Sequence, residues 1–177
     1  VSWQINIPGG VSAGYGGPPT IADFDGDGVP EIGVAAGSRY SVIEGDGSIL
    51  WQATTDDSSS GNTGSAVFDF EGDGIAEVVY ADQSRLWVFN GVDGSIKLSS
   101  TEHSNGTWME YPIIADVDND GSMDVVIAAS SAGMYIFDNQ GQVFPGFPVV
   151  DPNVKYSYQS PMLADLDNDD DLEIIGS

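Results

Sequence analysis

Short apolar segments recur along the chain, and their polar interruptions recur with them. A three-residue segment (Thr20-Ile21-Ala22, Ala66-Val67-Phe68, Ile113-Ile114-Ala115, Met162-Leu163-Ala164) leads into an acidic stretch. A near-continuous apolar run follows the stretch: Glu31 to Ala36, Glu77 to Ala81, Asp124 to Ala129, Glu173 to Ile175. Runs this short and β-branched, bounded by turn residues, predict buried strands rather than helices. A third segment comes next (Tyr40–Ile43, Leu86–Phe89, Met134–Phe137), and a glycine turn at Gly47, Gly94 or Gly141 leads to a fourth (Ser48–Trp51, Ser95–Leu98, Gln142–Phe144). No segment has a 3.6-residue apolar period. Val1-Ser2-Trp3-Gln4 matches Ile49-Leu50-Trp51-Gln52 and reads as the last strand of a preceding unit.

The unit repeats about every 47 residues, and four short antiparallel strands per unit of that length are the signature of a β-propeller blade. The expected fold is all-β, in repeats of approximately 18–63, 64–110, 111–159 and 160–177 (truncated), with 1–7 closing an earlier blade. Three complete repeats and a split fourth point to a segment of a larger propeller rather than a closed four-blade ring.

The polar interruption is one nine-residue pattern written four times, with acids at positions 1, 3, 5 and 9. The copies are Asp23, Asp25, Asp27 and Glu31; Asp69, Glu71, Asp73 and Glu77; Asp116, Asp118, Asp120 and Asp124; Asp165, Asp167, Asp169 and Glu173. Four carboxylates in nine residues repel one another unless a cation sits among them. Oxygen donors at this density suit Ca²⁺, which accepts six to eight of them in flexible geometry. The carbonyl of position 7 (Val29, Ile75, Ser122, Asp171) would join the four side chains, giving about four structural calcium ions. Glycine at position 6 (Gly28, Gly74, Gly121) permits a sharp bend at positive φ, and Asp170, in the fourth copy, tolerates it better than most residues. Plain acidic turns between strands are the alternative, but they do not explain the same four positions held in every copy. An EF-hand is excluded, because position 12 is Val34, Tyr80, Ile127 or Gly176 rather than Glu, and the flanks read as strands.

Charge and composition narrow the function. The 177 residues carry 28 acids against four Lys and Arg, a formal net charge of -24, and sixteen of the acids hold motif positions. Such a surface repels nucleic acid and anionic membrane. There is no cysteine, so metal ions are the available staples. Calcium sites of the weaker class suit an extracellular or cell-surface setting. No apolar run reaches the ~20 residues of a membrane span.

The stretch from Pro19 to Ile32, Pro-x-Ile-Ala-Asp-Phe-Asp-Gly-Asp-Gly-x-x-Glu-Ile, resembles the FG-GAP/VCBS repeat, the calcium-binding blade of integrin α-type propellers and many secreted bacterial proteins. The resemblance covers essentially the whole chain. It implies a seven- or eight-bladed propeller with Ca²⁺ in the hairpin loop joining the first two strands of each blade. It also implies ligand roles for Asp23, Asp25, Asp27 and Glu31 and their counterparts. Glu71, longer than the usual Asp or Asn, and Asp170, in place of glycine, depart from the pattern.

Little else carries chemistry. His103 is the single histidine and reads as a loop residue. The Gly-rich stretch 8–17 lacks the Lys-Ser/Thr of a phosphate loop and falls in a connection between blades. Those connections hold Tyr15, Trp108, Tyr111, Tyr156 and Tyr158, expected to pack between blades, with stacking on a ligand the alternative. Asn105-Gly-Thr107 is a glycosylation sequon. The leading expectation is a non-catalytic calcium-binding module for adhesion, protein or glycan binding, or surface assembly. The rivals are a polysaccharide lyase-like enzyme and a structural repeat of an extracellular fibre or surface layer.

Overall fold

The computed structural model describes residues 3–10, 16–103, 107–129, 133–154, 156 and 160–176. Thirteen strands and no helix are found among them. The first repeat folds as β1 (Thr20–Ala22), β2 (Glu31–Ala35), β3 (Arg39–Ile43) and β4 (Ile49–Thr54), and the second as β5 (Ser65–Phe68), β6 (Glu77–Ala81), β7 (Leu86–Phe89) and β8 (Ile96–Ser100). Each is a four-stranded antiparallel meander in chain order, with a register shift at the same place, Val42/Ile43 and Val88/Phe89. The third repeat holds β9 (Ile113–Ala115), β10 (Asp124–Ala129) and β11 (Gly133–Phe137), and the fourth β12 (Met162–Ala164) and β13 (Glu173–Ile175).

Two expected strand segments form no continuous strand among the described residues. The fourth strand of the third repeat is reduced to isolated bridges, Phe137 with Val143 and Met134 with Val149. Pro145 and Pro148 lack the N–H that a ladder needs, so the chain leaves β11 after Phe144 and returns at Val149. Trp3 and Gln4 lie in no strand. Trp3 nevertheless sits as its counterpart does. Its indole N–H donates to the Gly45 carbonyl and its ring covers Gly47, while Trp51 donates to the Gly91 carbonyl and covers Gly94.

The sheets stack face to face, which is why the second strands are apolar at consecutive positions. In β6, Val78 and Tyr80 join Tyr40, Val42 and Trp51 of the first sheet, while Val79 and Ala81 join Val125, Ile127 and Tyr135 of the third. In β10, Val125, Ile127 and Ala129 face the second sheet, and Val126 and Ala128 face Leu163, Ile174 and Tyr156. Successive strand side chains point to opposite faces, so a strand covered on both sides needs no polar alternation. Four antiparallel sheets stacked in series are the blades of a β-propeller.

Candidate metal centre

Each acidic stretch closes the hairpin between the first two strands of its sheet. Pairing of Ala22 with Glu31, Phe68 with Glu77, Ala115 with Asp124 and Ala164 with Glu173 sets position 9 across from the residue before position 1. Eight residues are thus held in a loop between fixed ends.

Position 1 organises the loop from inside. Asp23 accepts the N–H groups of Gly26 at 2.7 Å and Gly28 at 2.9 Å; Asp69 accepts those of Gly72, Asp73 and Gly74. Asp116 takes Asp120 and Gly121, and Asp165 takes Asn168, Asp169 and Asp170. Position 5 caps the next turn, accepting the N–H of Val29 (2.7 Å), Ile75 (2.9 Å), Ser122 (2.7 Å) or Asp171 (3.0 Å). Position 9 reaches back to the N–H of position 2: Glu31 to Phe24, Glu77 to Phe70, Asp124 to Val117, Glu173 to Leu166.

These bonds require two left-handed residues per loop. Position 6 is one, at Gly28, Gly74, Gly121 and Asp170. Position 4 is the other, at Gly26, Gly72, Asn119 and Asn168, with φ between 58° and 80°. That second requirement went unread in the sequence, although glycine and asparagine, the residues that adopt this conformation most readily, are all it admits there.

The carboxylates converge. Oxygens of Asp23, Asp25 and Asp27 lie within 4.8 Å of one another, as do those of Asp69, Glu71 and Glu77, of Asp116, Asp118 and Asp124, and of Asp165, Asp167 and Glu173. Asp73, Asp120 and Asp169 stand outside their triads and Glu31 outside the first. Glu31 has its own signature. One carboxylate oxygen holds the Phe24 N–H, and the other, Oε1, is buried without a hydrogen-bond partner. A buried carboxylate oxygen left so is costly unless a cation meets it, and this is the observation by which the loop fits a metal. Burial first, then the neighbouring Asp25, Glu44 and Asp23 charges, pushes the Glu31 carboxyl up. The same causes lift Asp124 to about 6. Asp69 is held low, chiefly by the Gly74 N–H.

The second loop differs. The Lys97 ammonium stands 2.6 Å from Glu71 and 3.0 Å from Glu77. It holds Glu71 below the ordinary glutamate range, while burial lifts Glu77.

Two polar sites that the sequence left unnoticed centre on Asp57, in the connection after β4, and on Asp82, in the turn between β6 and β7. Asp57, fully buried, accepts the Ser60 hydroxyl (2.9 Å), the Thr63 N–H (3.2 Å), the Tyr80 hydroxyl (3.3 Å) and the Thr107 hydroxyl (3.2 Å). Asp82 gathers the N–H groups of Asp56, Ser84 and Arg85 and the Trp87 indole. His103 follows β8 in a loop but is wholly buried, edge-on to Tyr135, and burial lowers its pKa. Tyr111 packs on Gly64, and Tyr156 is buried with its hydroxyl accepting the Asp151 N–H. Trp108 and Met109 remain 41% and 51% exposed. Tyr15, Tyr158 and Asn105 lie outside the described residues.

Antiparallel blades, each with an acidic loop in its first hairpin, define a propeller-type repeat protein. A family model described as FG-GAP-like repeat matches residues 69–127 and 116–176, more than half of the sequence. The chain belongs to the FG-GAP-like repeat family. Among solved structures it is similar to the V. cholerae biofilm matrix protein Bap1, at TM-score 0.53 and 29% identity, over 64% of this chain and 18% of that one. It also resembles BBS1N, solved in complex with ARL6DN and soaked with mercury, at TM-score 0.53 and 17% identity, over 82% of this chain and 46% of that one, a likeness of fold alone. The chain spans less than half the length of either. A search of curated proteins returned no match.

Proposed function

We propose that this chain is a non-catalytic, extracellular calcium-binding propeller module, whose acidic hairpins are pinned by the ion and whose inter-blade connections meet a protein or glycan in adhesion or surface assembly. The observation that carries the calcium role is the buried Glu31 Oε1, unpartnered beside the Asp23, Asp25 and Asp27 cluster. In the first, third and fourth loops the ligands would be Asp23, Asp25, Asp27 and Glu31; Asp116, Asp118 and Asp124; and Asp165, Asp167 and Glu173. The backbone carbonyls of Val29, Ser122 and Asp171 would complete the shells. Membership of the repeat family and likeness to a biofilm matrix protein support the extracellular setting. Exposed Trp108 and Met109, in the connection after β8, offer apolar contact to a partner.

Chelation tests this directly. An ion at a hundredfold excess over its Kd contributes about 2.7 kcal/mol per site, roughly 5–10 °C in Tm for a chain of this size. Differential scanning calorimetry with and without EGTA should show a drop of at least that amount, restored by added Ca²⁺. An unchanged Tm would overturn the structural role of the ion.

A further inference from the structure

The second loop departs from the others at two positions, and the two departures touch. Its third position is Glu71, where the other loops carry Asp25, Asp118 and Asp167. The strand after its glycine turn carries Lys97, where the first and third repeats carry Leu50 and Phe144, counted from Gly47, Gly94 and Gly141. The extra methylene of Glu71 brings its carboxylate to the ammonium, and Nζ–Oε1 is 2.6 Å.

Comparison of the two homologous glutamates is sharper. Glu31 and Glu77 both give Oε2 to the N–H of position 2. Both are buried, at 0% and 3% exposure. The remaining oxygen of Glu31 has no partner, while that of Glu77 is held by Lys97 at 3.0 Å. The ammonium therefore takes the oxygen that its homologue leaves to a metal. It also takes Glu71, so two of the three carboxylates that converge in this loop are engaged. A divalent ion bound to the same two oxygens would stand against an ammonium a few ångströms away, a repulsion that one of the two cations must escape.

We propose that Lys97 is the resident cation of the second loop, which holds its shape without calcium and binds the metal at least about tenfold more weakly than the other three. This rests on the calcium reading of those three loops. Lys97 lines the cleft between the second and third sheets with Phe70, Leu86, Val88 and Leu98 and belongs to β8, so the ammonium is carried by a strand and not by the loop it serves. The hairpin between β5 and β6 then stays closed at calcium levels that empty its neighbours.

Native mass spectrometry during a calcium titration, on the whole chain, decides the matter. Wild type should take up three ions in one range and a fourth only at about tenfold higher calcium or above. Lys97→Met should bring the fourth into the range of the others. Should that variant fail to fold, the comparison of Asp69→Asn with Asp116→Asn suffices: the first should keep three tight ions and the second should lose one. Four equally tight ions on wild type, with one lost in Asp69→Asn, would overturn the proposal and leave the calcium reading intact. No ion on any variant would overturn both.

Discussion

Asp124 shows how strongly burial and neighbouring carboxylates act on one residue. Burial, then the Asp118, Asp120 and Asp116 carboxylates, lifts it from 3.8 to about 6. Because its pKa is raised, the folded state holds the proton more tightly than the unfolded one. The stability this supplies is full below pH 3.8, falls as pH rises, and is gone above about 6. In EGTA, urea titrations across that window should therefore show wild type losing stability relative to Asp124→Asn. Saturating calcium should reverse the trend, since the ion needs the ionised carboxylate. Gly28 carries a different constraint. Its φ is +84° and a Cβ there would meet nothing within 4 Å, so any cost of substitution is backbone strain. Gly28→Ala should lose roughly 1–2 kcal/mol in urea denaturation. Gly28→Asn should lose less, because Asn119, Asn168 and Asp170 already adopt this conformation.

At the scale of elements, the hairpin and the connection obey different chemistry. The hairpin loop is dictated mainly locally: the bonds made by its first, fifth and ninth positions to the backbone join residues no more than seven apart, from Phe24–Glu31 to Val29–Asp27. Longer-range bonds, Asn119 to Asp170 and Asp171, Ala76 to Asp23 and Lys97 to Glu71 and Glu77, are added from outside. Its acids and its bends could therefore be read directly from spacing. Connections are shaped at long range. Asp57 ties its own loop to Tyr80 on β6 and to Thr107 in the next connection, 23 and 50 residues away. Nothing in the sequence around Asp57 distinguishes it from other loop acids. Asp57→Ala should cost at least about 3 kcal/mol in chemical denaturation, since it strands several buried donors. An effect below 1 kcal/mol would show that water replaces the carboxylate. The third repeat follows the same division, its closing strand broken locally by Pro145 and Pro148.

Over the whole molecule, stability lies between sheets as much as within them. Tyr40, fully buried in β3, stacks against Trp51, meets Tyr80 of the next sheet at 5.7 Å between ring centres, and bonds its hydroxyl to Thr20 and Ser65. Ser65 belongs to β5, so this one side chain joins two blades. Gly33 makes room for it, since a Cβ there would strike the Tyr40 hydroxyl. Tyr40→Ala should cost about 3–5 kcal/mol and Tyr40→Phe about 1 kcal/mol, read from urea midpoints in saturating calcium.

The sequence alone determined the repeat, the strand segments and the acidic loops, because each depends on residues near one another in the chain. The tertiary structure decided which carboxylate oxygens are buried, which face Lys97 and which inter-blade loops are locked by Asp57 and Asp82. It also decided which faces of β6 and β10 meet which neighbours. Those outcomes depend on distance through space between segments tens of residues apart. A sequence pattern records the donors and acceptors but not their partners.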